Sequence, residues 1–483
     1  MTTANESSGA GRCLSLSLMM AALGCYLMFS PIWIPSLTAR MYDNARVLEL
    51  ILLILLVPLS LAPCARETII SFWARFDRSV RWCMAVLVVG GGVSAAFSDA
   101  PAFGIQQIAL TMLLGWLFLS VCAIVWRLGK QAEMALAAAT CAGAGLVVLS
   151  FWATFIQALE LGRNFSWVSP FLEFANVRFF GQYQAYALLL VTLPIALARL
   201  TWSWRAIVYF VAANFWALQW MVASRAVWVG FAAAAATAAL LMRAGRLRWL
   251  GEQGALVLAG GAIYVVFSSL VLSTPNATQI PAVNSIVARG GESTSERVTM
   301  AKAALRLIGE HPLAGVGPGQ FGLHFSATGG AHPHNTPLQL LTEYGLPAGM
   351  AGIALGAMLV LFAAGEFRKS TMHRPDAVTA SLAAALIMGL VDALFSGNLI
   401  MPHSQVLLCV IAGWLTGRSA LSARAPAAAF PHATRVALTG AAILAALTAS
   451  ILGMEYLDVI RDMQYPPALR APSFWQYGRF ADW

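Results

Sequence analysis

The side chains best suited to proton chemistry lie in the run His332-Pro333-His334-Asn335. A histidine has an unperturbed pKa of about 6.5 and takes or delivers a proton close to neutrality. Two histidines separated by one residue could also begin a metal site. No cysteine or carboxylate cluster lies nearby in sequence to complete one, so general acid or base use is the stronger reading and no metal or cofactor is expected. His332 reads as a loop residue. Upstream, the Gly/Pro run from His311 to Phe321 lacks the Gly-Lys-Ser/Thr ending of a phosphate loop and reads as a tight turn. Glu343 and Asp392 fall at or within apolar runs, where an ionisable side chain is costly; pairing with an arginine is the expected use. Seven cysteines are scattered without a C-x-x-C pair, so neither a disulfide frame nor a thiolate metal site is indicated.

Composition sets the elements that carry these residues. Of 483 residues, 59% are hydrophobic and 11% charged, where a typical soluble protein has about 25% charge. With a mean hydropathy of +0.73, the chain has lipid as its main solvent. A soluble enzyme, a disordered scaffold and a DNA-binding module are excluded. Spanning a bilayer takes about 20 mostly apolar residues. Thirteen windows qualify, near 14–34, 47–63, 82–98, 102–126, 133–157, 180–198, 206–223, 226–242, 254–273, 346–366, 377–395, 399–417 and 436–453. The short window 399–417 is the weakest, so the expectation is an all-α integral membrane protein of 12–13 spans. The first window is too long for a cleaved signal and no small-x-small site follows it.

A cytoplasmic N-terminus puts loops rich in arginine, such as 64–81 and 243–248, on the inner side, with 18 of the 30 basic residues. The other 12 are outside, where depletion is the rule. They include Arg178 in the loop 158–179, Arg225 in the break Ser224-Arg225, and Arg289 and Arg297 in the one long polar insertion, 274–336. Each has a plain use: an arginine at a helix end anchors in the headgroup layer, and one in a first turn is solvated. Within the insertion, Ser293-Thr294-Ser295-Glu296 fits a capping box. A helix over 294–309 follows, its apolar side made of Val298, Ala301, Ala304, Leu305 and Ile308.

Taken together, the His334-Asn335 pair followed by Gly345, the Arg297 helix with its Pro312-Leu313-x-Gly315-x-Gly317 turn, and the membrane setting resemble the O-antigen ligase and polymerase superfamily. The similarity covers roughly 165–400 and is strongest over 289–349. That signature usually carries a second glycine where this chain has Ala348, with Gly349 one residue later. The resemblance implies a GT-C-like, metal-independent inverting glycosyltransferase of the bacterial inner membrane, taking a glycan from undecaprenyl diphosphate on the periplasmic face. The expected organisation is a single membrane domain over 1–483 with 274–336 covering the active site; thirteen spans put the short tail 454–483 in the periplasm, whereas a twelve-span ligase has both ends inside. The resemblance also implies that His334 is catalytic and that Arg178 and Arg225 contact the lipid diphosphate, with Arg289 or Arg297 completing the cluster. Gln184, Asn335 and Glu343 are supporting candidates. Chemistry agrees, since planar guanidinium groups hold diphosphate oxygens by two-pronged hydrogen bonds and can take the place of Mg²⁺ on a departing diphosphate. The expected acceptor is the lipid A core, as in an O-antigen ligase. A polymerase acting on a second lipid-linked glycan and a protein O-oligosaccharyltransferase use the same chemistry. A lipid-linked glycan transporter would place its charges near mid-membrane instead.

Overall fold

The computed structural model describes residues 13–33, 41–162, 165, 169–174, 177–242, 245–272, 292–325, 332–373, 376–422 and 432–462. Every regular element among the described residues is helical, as hydrocarbon demands, because a helix satisfies its own backbone polar groups. In chain order the elements are α1 (Leu14–Phe29), α2 (Met41–Ser60), α3 (Pro63–Arg75), α4 (Arg78–Ala96), α5 (Pro101–Leu128), α6 (Lys130–Glu160), α7 (Val177–Ala187), α8 (Leu193–Leu197), α9 (Trp202–Val222), α10 (Arg225–Leu241) and α11 (Arg246–Leu272). There follow α12 (Glu292–Glu310), α13 (Phe321–His324), α14 (Thr336–His373), α15 (Ala377–Asp392), α16 (Pro402–Ser422) and α17 (His432–Asp462).

All thirteen apolar windows fall on these helices. Among the described residues eight helical segments, α7 and α8 counted as one, are long and apolar enough to cross a membrane, or nine if α2 and α3, bent by 107°, form one span. The chain is an all-α integral membrane protein. The difference from twelve or thirteen is local. α1, α10 and α15 are apolar but only 16, 17 and 16 residues long, and the 21-residue α9 carries Arg205, Asn214 and Gln219, which dilute its apolarity.

Two expectations are corrected. The basic segment 64–81, read as a loop, contains α3, on which Arg75 lies 4.9 Å from the ring centres of Phe72 and Trp126. A cation over an aromatic face explains an arginine so close to the apolar layer. Cys13 and Cys64 form a disulfide across 51 residues of sequence; they meet only because α1 and α3 pack together, which spacing does not reveal.

The helix ends gather at two poles. At one pole Arg418 of α16 bridges Glu133 of α6 and Asp376, the residue that caps α15. The other pole carries the catalytic candidates. There Arg46 of α2 binds Glu49, Gln405 and the Ile400 carbonyl, and His403 Nε2 lies 3.1 Å from the Ser30 carbonyl at the end of α1. Arg46, expected on the outer side, is thus put to structural use. The connection from α6 to α7 is pinned by its aromatic rings: Phe165 packs on Phe155 at 5.4 Å and Phe171 stacks on Phe180 at 4.4 Å.

Candidate active site

The site is assembled on the kinked start of α14. A glycine at 345, with φ of 73°, breaks that helix, and the Gly/Pro run docks into the break. Val316 N–H donates to the Thr342 carbonyl at 2.9 Å, Gly317 N–H to the Glu343 carbonyl at 3.1 Å and Leu346 N–H to the Pro312 carbonyl at 2.7 Å. No side chain fits there: a Cβ on Gly345 would lie 2.3 Å from the Leu313 oxygen, and one on Gly315 2.5 Å from the Gly345 nitrogen. The run is a bracket, as the turn reading expects, with its amides used on α14. Glu343 completes it, accepting from Gly319 N–H at 2.9 Å and from the Gln339 amide at 3.2 Å. The expected arginine partner for Glu343 is therefore replaced by a backbone amide and a glutamine. Gln320 clamps the far end of the bracket to Ser98 and Ala100.

The helix expected over 294–309 is α12. Its packed side is turned from the expected one: Met300, Ala304 and Leu307 are buried against Val316, Phe321 and Phe325, while Val298 and Leu305 are exposed. The bracket lies over the Met300–Leu307 side, a tertiary choice that periodicity alone does not make. The side chains of the capping box, Ser293 and Glu296, and the whole of Arg289 lie outside the described residues. Arg297 is described and exposed.

His334 precedes α14 in a left-handed backbone conformation, φ 51°. Asn335 caps the helix, its Oδ1 accepting Leu338 N–H at 2.9 Å, and its Nδ2 donates to the Leu394 carbonyl at 2.9 Å. Thr336 N–H donates to the Ala393 carbonyl at 3.0 Å. These bonds fasten the His334 loop to the end of α15. Burial, then the charges of Arg297 and Arg178, depress the His334 pKa to about 4. The imidazole is neutral at neutral pH and can accept a proton.

Arg178 is the second residue of α7 and Arg225 the first of α10, and both are exposed. Gly181 brings the two helix starts together, since a Cβ there would lie 3.2 Å from the Ser224 Cβ. The charges of Arg297 and Arg178 thus reach His334, and the Arg225 helix starts beside the Arg178 helix. Gln184 belongs elsewhere. It is buried in the bundle and donates to the Phe215 carbonyl at 2.8 Å.

Three further features surround the site. His332 packs against His334, with ring centres 4.2 Å apart. Asp392, expected to pair with an arginine, is buried and accepts instead from Ser396 at 2.5 Å and Asn398 at 2.8 Å, with the Arg297 charge acting on it from further off. A small cleft lined by Glu173, Phe174, Phe179, His403 and Ser404 opens next to the Arg178 turn. Among the described residues no group of three or more His, Cys, Asp or Glu could hold a metal ion.

No curated protein matches the chain. Residues 215–353, which contain Arg225, Arg297, the bracket and His334, match the family model for O-antigen ligase, and that match supports the chain's membership of the O-antigen ligase superfamily.

Proposed function

We propose that this protein transfers a glycan from undecaprenyl diphosphate to an acceptor hydroxyl on the periplasmic face of the bacterial inner membrane, with the lipid A core as acceptor. The observation that carries this reading is a neutral His334 set among arginine charges, inside the stretch matched to O-antigen ligase. In the reaction the acceptor oxygen attacks the anomeric carbon, its proton passes to His334, and the bond from that carbon to the diphosphate oxygen breaks with its electrons. The configuration inverts. Arg178, Arg225 and Arg297, with Arg289 as a further candidate, hold the charge that builds on the departing diphosphate, and no metal is needed.

The donor also tunes the base. Its negative charges offset those of Arg178 and Arg297, so the His334 pKa rises as donor binds and the imidazole becomes a stronger base in the complex. Asn335 and Glu343 support the site by fixing the start of α14. The described part of the insertion, α12 and the bracket, forms its outer wall with the α7 and α10 starts, within one membrane domain.

Purified protein supplied with undecaprenyl-diphosphate glycan is tested separately with lipid A core, a second lipid-linked glycan and a pilin-like peptide. Transfer to lipid A core is expected, with His334→Ala slower by about 10²–10⁴-fold, the usual worth of a general base. Transfer only to the second glycan marks a polymerase, and only to peptide a protein O-oligosaccharyltransferase. Full activity of His334→Ala, or transfer to none of the three, overturns the enzyme reading.

A further inference from the structure

We propose that His332 is a positioning residue for His334, seated in a space that the missing side chain of Gly397 leaves open, and that it holds the His334 backbone in its left-handed conformation. The proposal rests on the reading of His334 as the general base.

Among the described residues only Ala223 and His334 adopt positive φ without being glycine. Such a backbone is disfavoured for a side chain of this size and persists only where its surroundings impose it. Here the imposing contact is the His334 N–H, which donates to His332 Nδ1 at 3.2 Å. This is the bond from residue i+2 to side chain i that an asparagine makes in an Asx turn, with Nδ1 in place of the amide oxygen. It requires Nδ1 without a proton, which puts the imidazole proton on Nε2. Burial, then the His334 and Arg297 charges, hold His332 well below the ordinary histidine range, so the acceptor form persists across neutral pH.

The His332 ring is confined. It is 4% exposed, and a Cβ on Gly397 would lie 2.2 Å from its Cε1 and 2.5 Å from its Nε2. On the far side, Asn335 and Thr336 are bonded to Leu394 and Ala393. Between the two fixed points lie Pro333, whose ring restricts its own φ, and His334. Gly397, Leu394 and Ala393 all belong to the connection between α15 and α16, so one short segment holds both sides of the loop that presents His334 toward Arg178 and Arg297.

The test compares full-length His332→Leu, His332→Asn and Gly397→Ala, reading kcat and donor KM for glycan transfer together with hydrogen–deuterium exchange over 332–340. His332→Leu and Gly397→Ala are expected to lower kcat by about a hundredfold, the usual cost of misplacing a reacting group by an ångström. Donor KM stays near wild type, because the arginines are untouched, and exchange at His334 quickens. His332→Asn, which can still accept the His334 N–H, restores slow exchange and most of kcat. Wild-type kcat in His332→Leu overturns the proposal, as does a His332→Asn variant as slow as His332→Leu. Full activity of His334→Ala is a different failure: it removes the general-base reading, while the exchange comparison still reports on the clamp.

Discussion

His334 is suited to act as a base because burial and two positive charges keep it neutral. The sign of the effect gives a pH test. With its pKa near 4 in the free protein, kcat/KM should hold through mild acid and fall only as pH approaches that value. Replacing Arg297 by Gln removes a positive charge that opposes protonation, so the acid limb should move up toward the ordinary histidine value of about 6.5. A limb that stays in place in the pH–rate profile of Arg297→Gln would mean that Arg297 does not act on His334. In the wild type, the limb in kcat should lie at higher pH than the limb in kcat/KM, because bound diphosphate cancels part of the arginine field. The same residue scale shows what chemistry alone distinguishes. Arg46 and Arg297 are both expected outside, yet one is buried against Glu49 and two acceptors on or beside α16, and the other is exposed and its charge acts on His334.

The element that organises the site is α14, kinked at Gly345 and bracketed by the 312–319 run. Glu343→Ala leaves the Gly319 amide and the Gln339 side chain short of an acceptor in a buried place, a loss of about 1–3 kcal/mol. Gly345→Ala meets the Leu313 carbonyl and must keep a positive φ, which alone costs about 1–3 kcal/mol. Both variants should lower the thermal unfolding midpoint in detergent and reduce transfer, because the bracket docks on the helix that His334 immediately precedes. Leu313→Ala makes a control: its side chain is 77% exposed, and it should change neither. A Gly345→Ala protein as stable as wild type would show that the kink is not needed to seat the bracket. Glu343 is legible in the sequence as an ionisable group at the edge of an apolar run. Its commitment to the Gly319 amide and the Gln339 side chain depends on a loop that returns across it.

At the scale of the whole molecule, the site and the Arg418 bridge lie at opposite poles of the bundle, and the proposed function needs the site pole to face the periplasm. Single cysteines placed at exposed Glu310 and Arg248, in a background without the native cysteines, test this. A membrane-impermeant thiol reagent should label position 310 in intact cells and position 248 only after permeabilisation, and the reverse pattern would invert the topology. The sequence by itself determined the helical class, the position of all thirteen apolar segments, the outer helix and the His334-Asn335 motif. These depend on local composition and on spacings within a turn or two, which a linear pattern carries. It did not determine which side of α12 packs, that 64–81 holds a helix, that Cys13 meets Cys64, that Gln184 turns into the bundle, or that His332 and Gly397 fit together. Each of those depends on which surfaces meet after the helices associate. Between apolar helices in lipid that choice is made by close packing and buried hydrogen bonds rather than by hydrophobicity, so it becomes visible only in the tertiary structure.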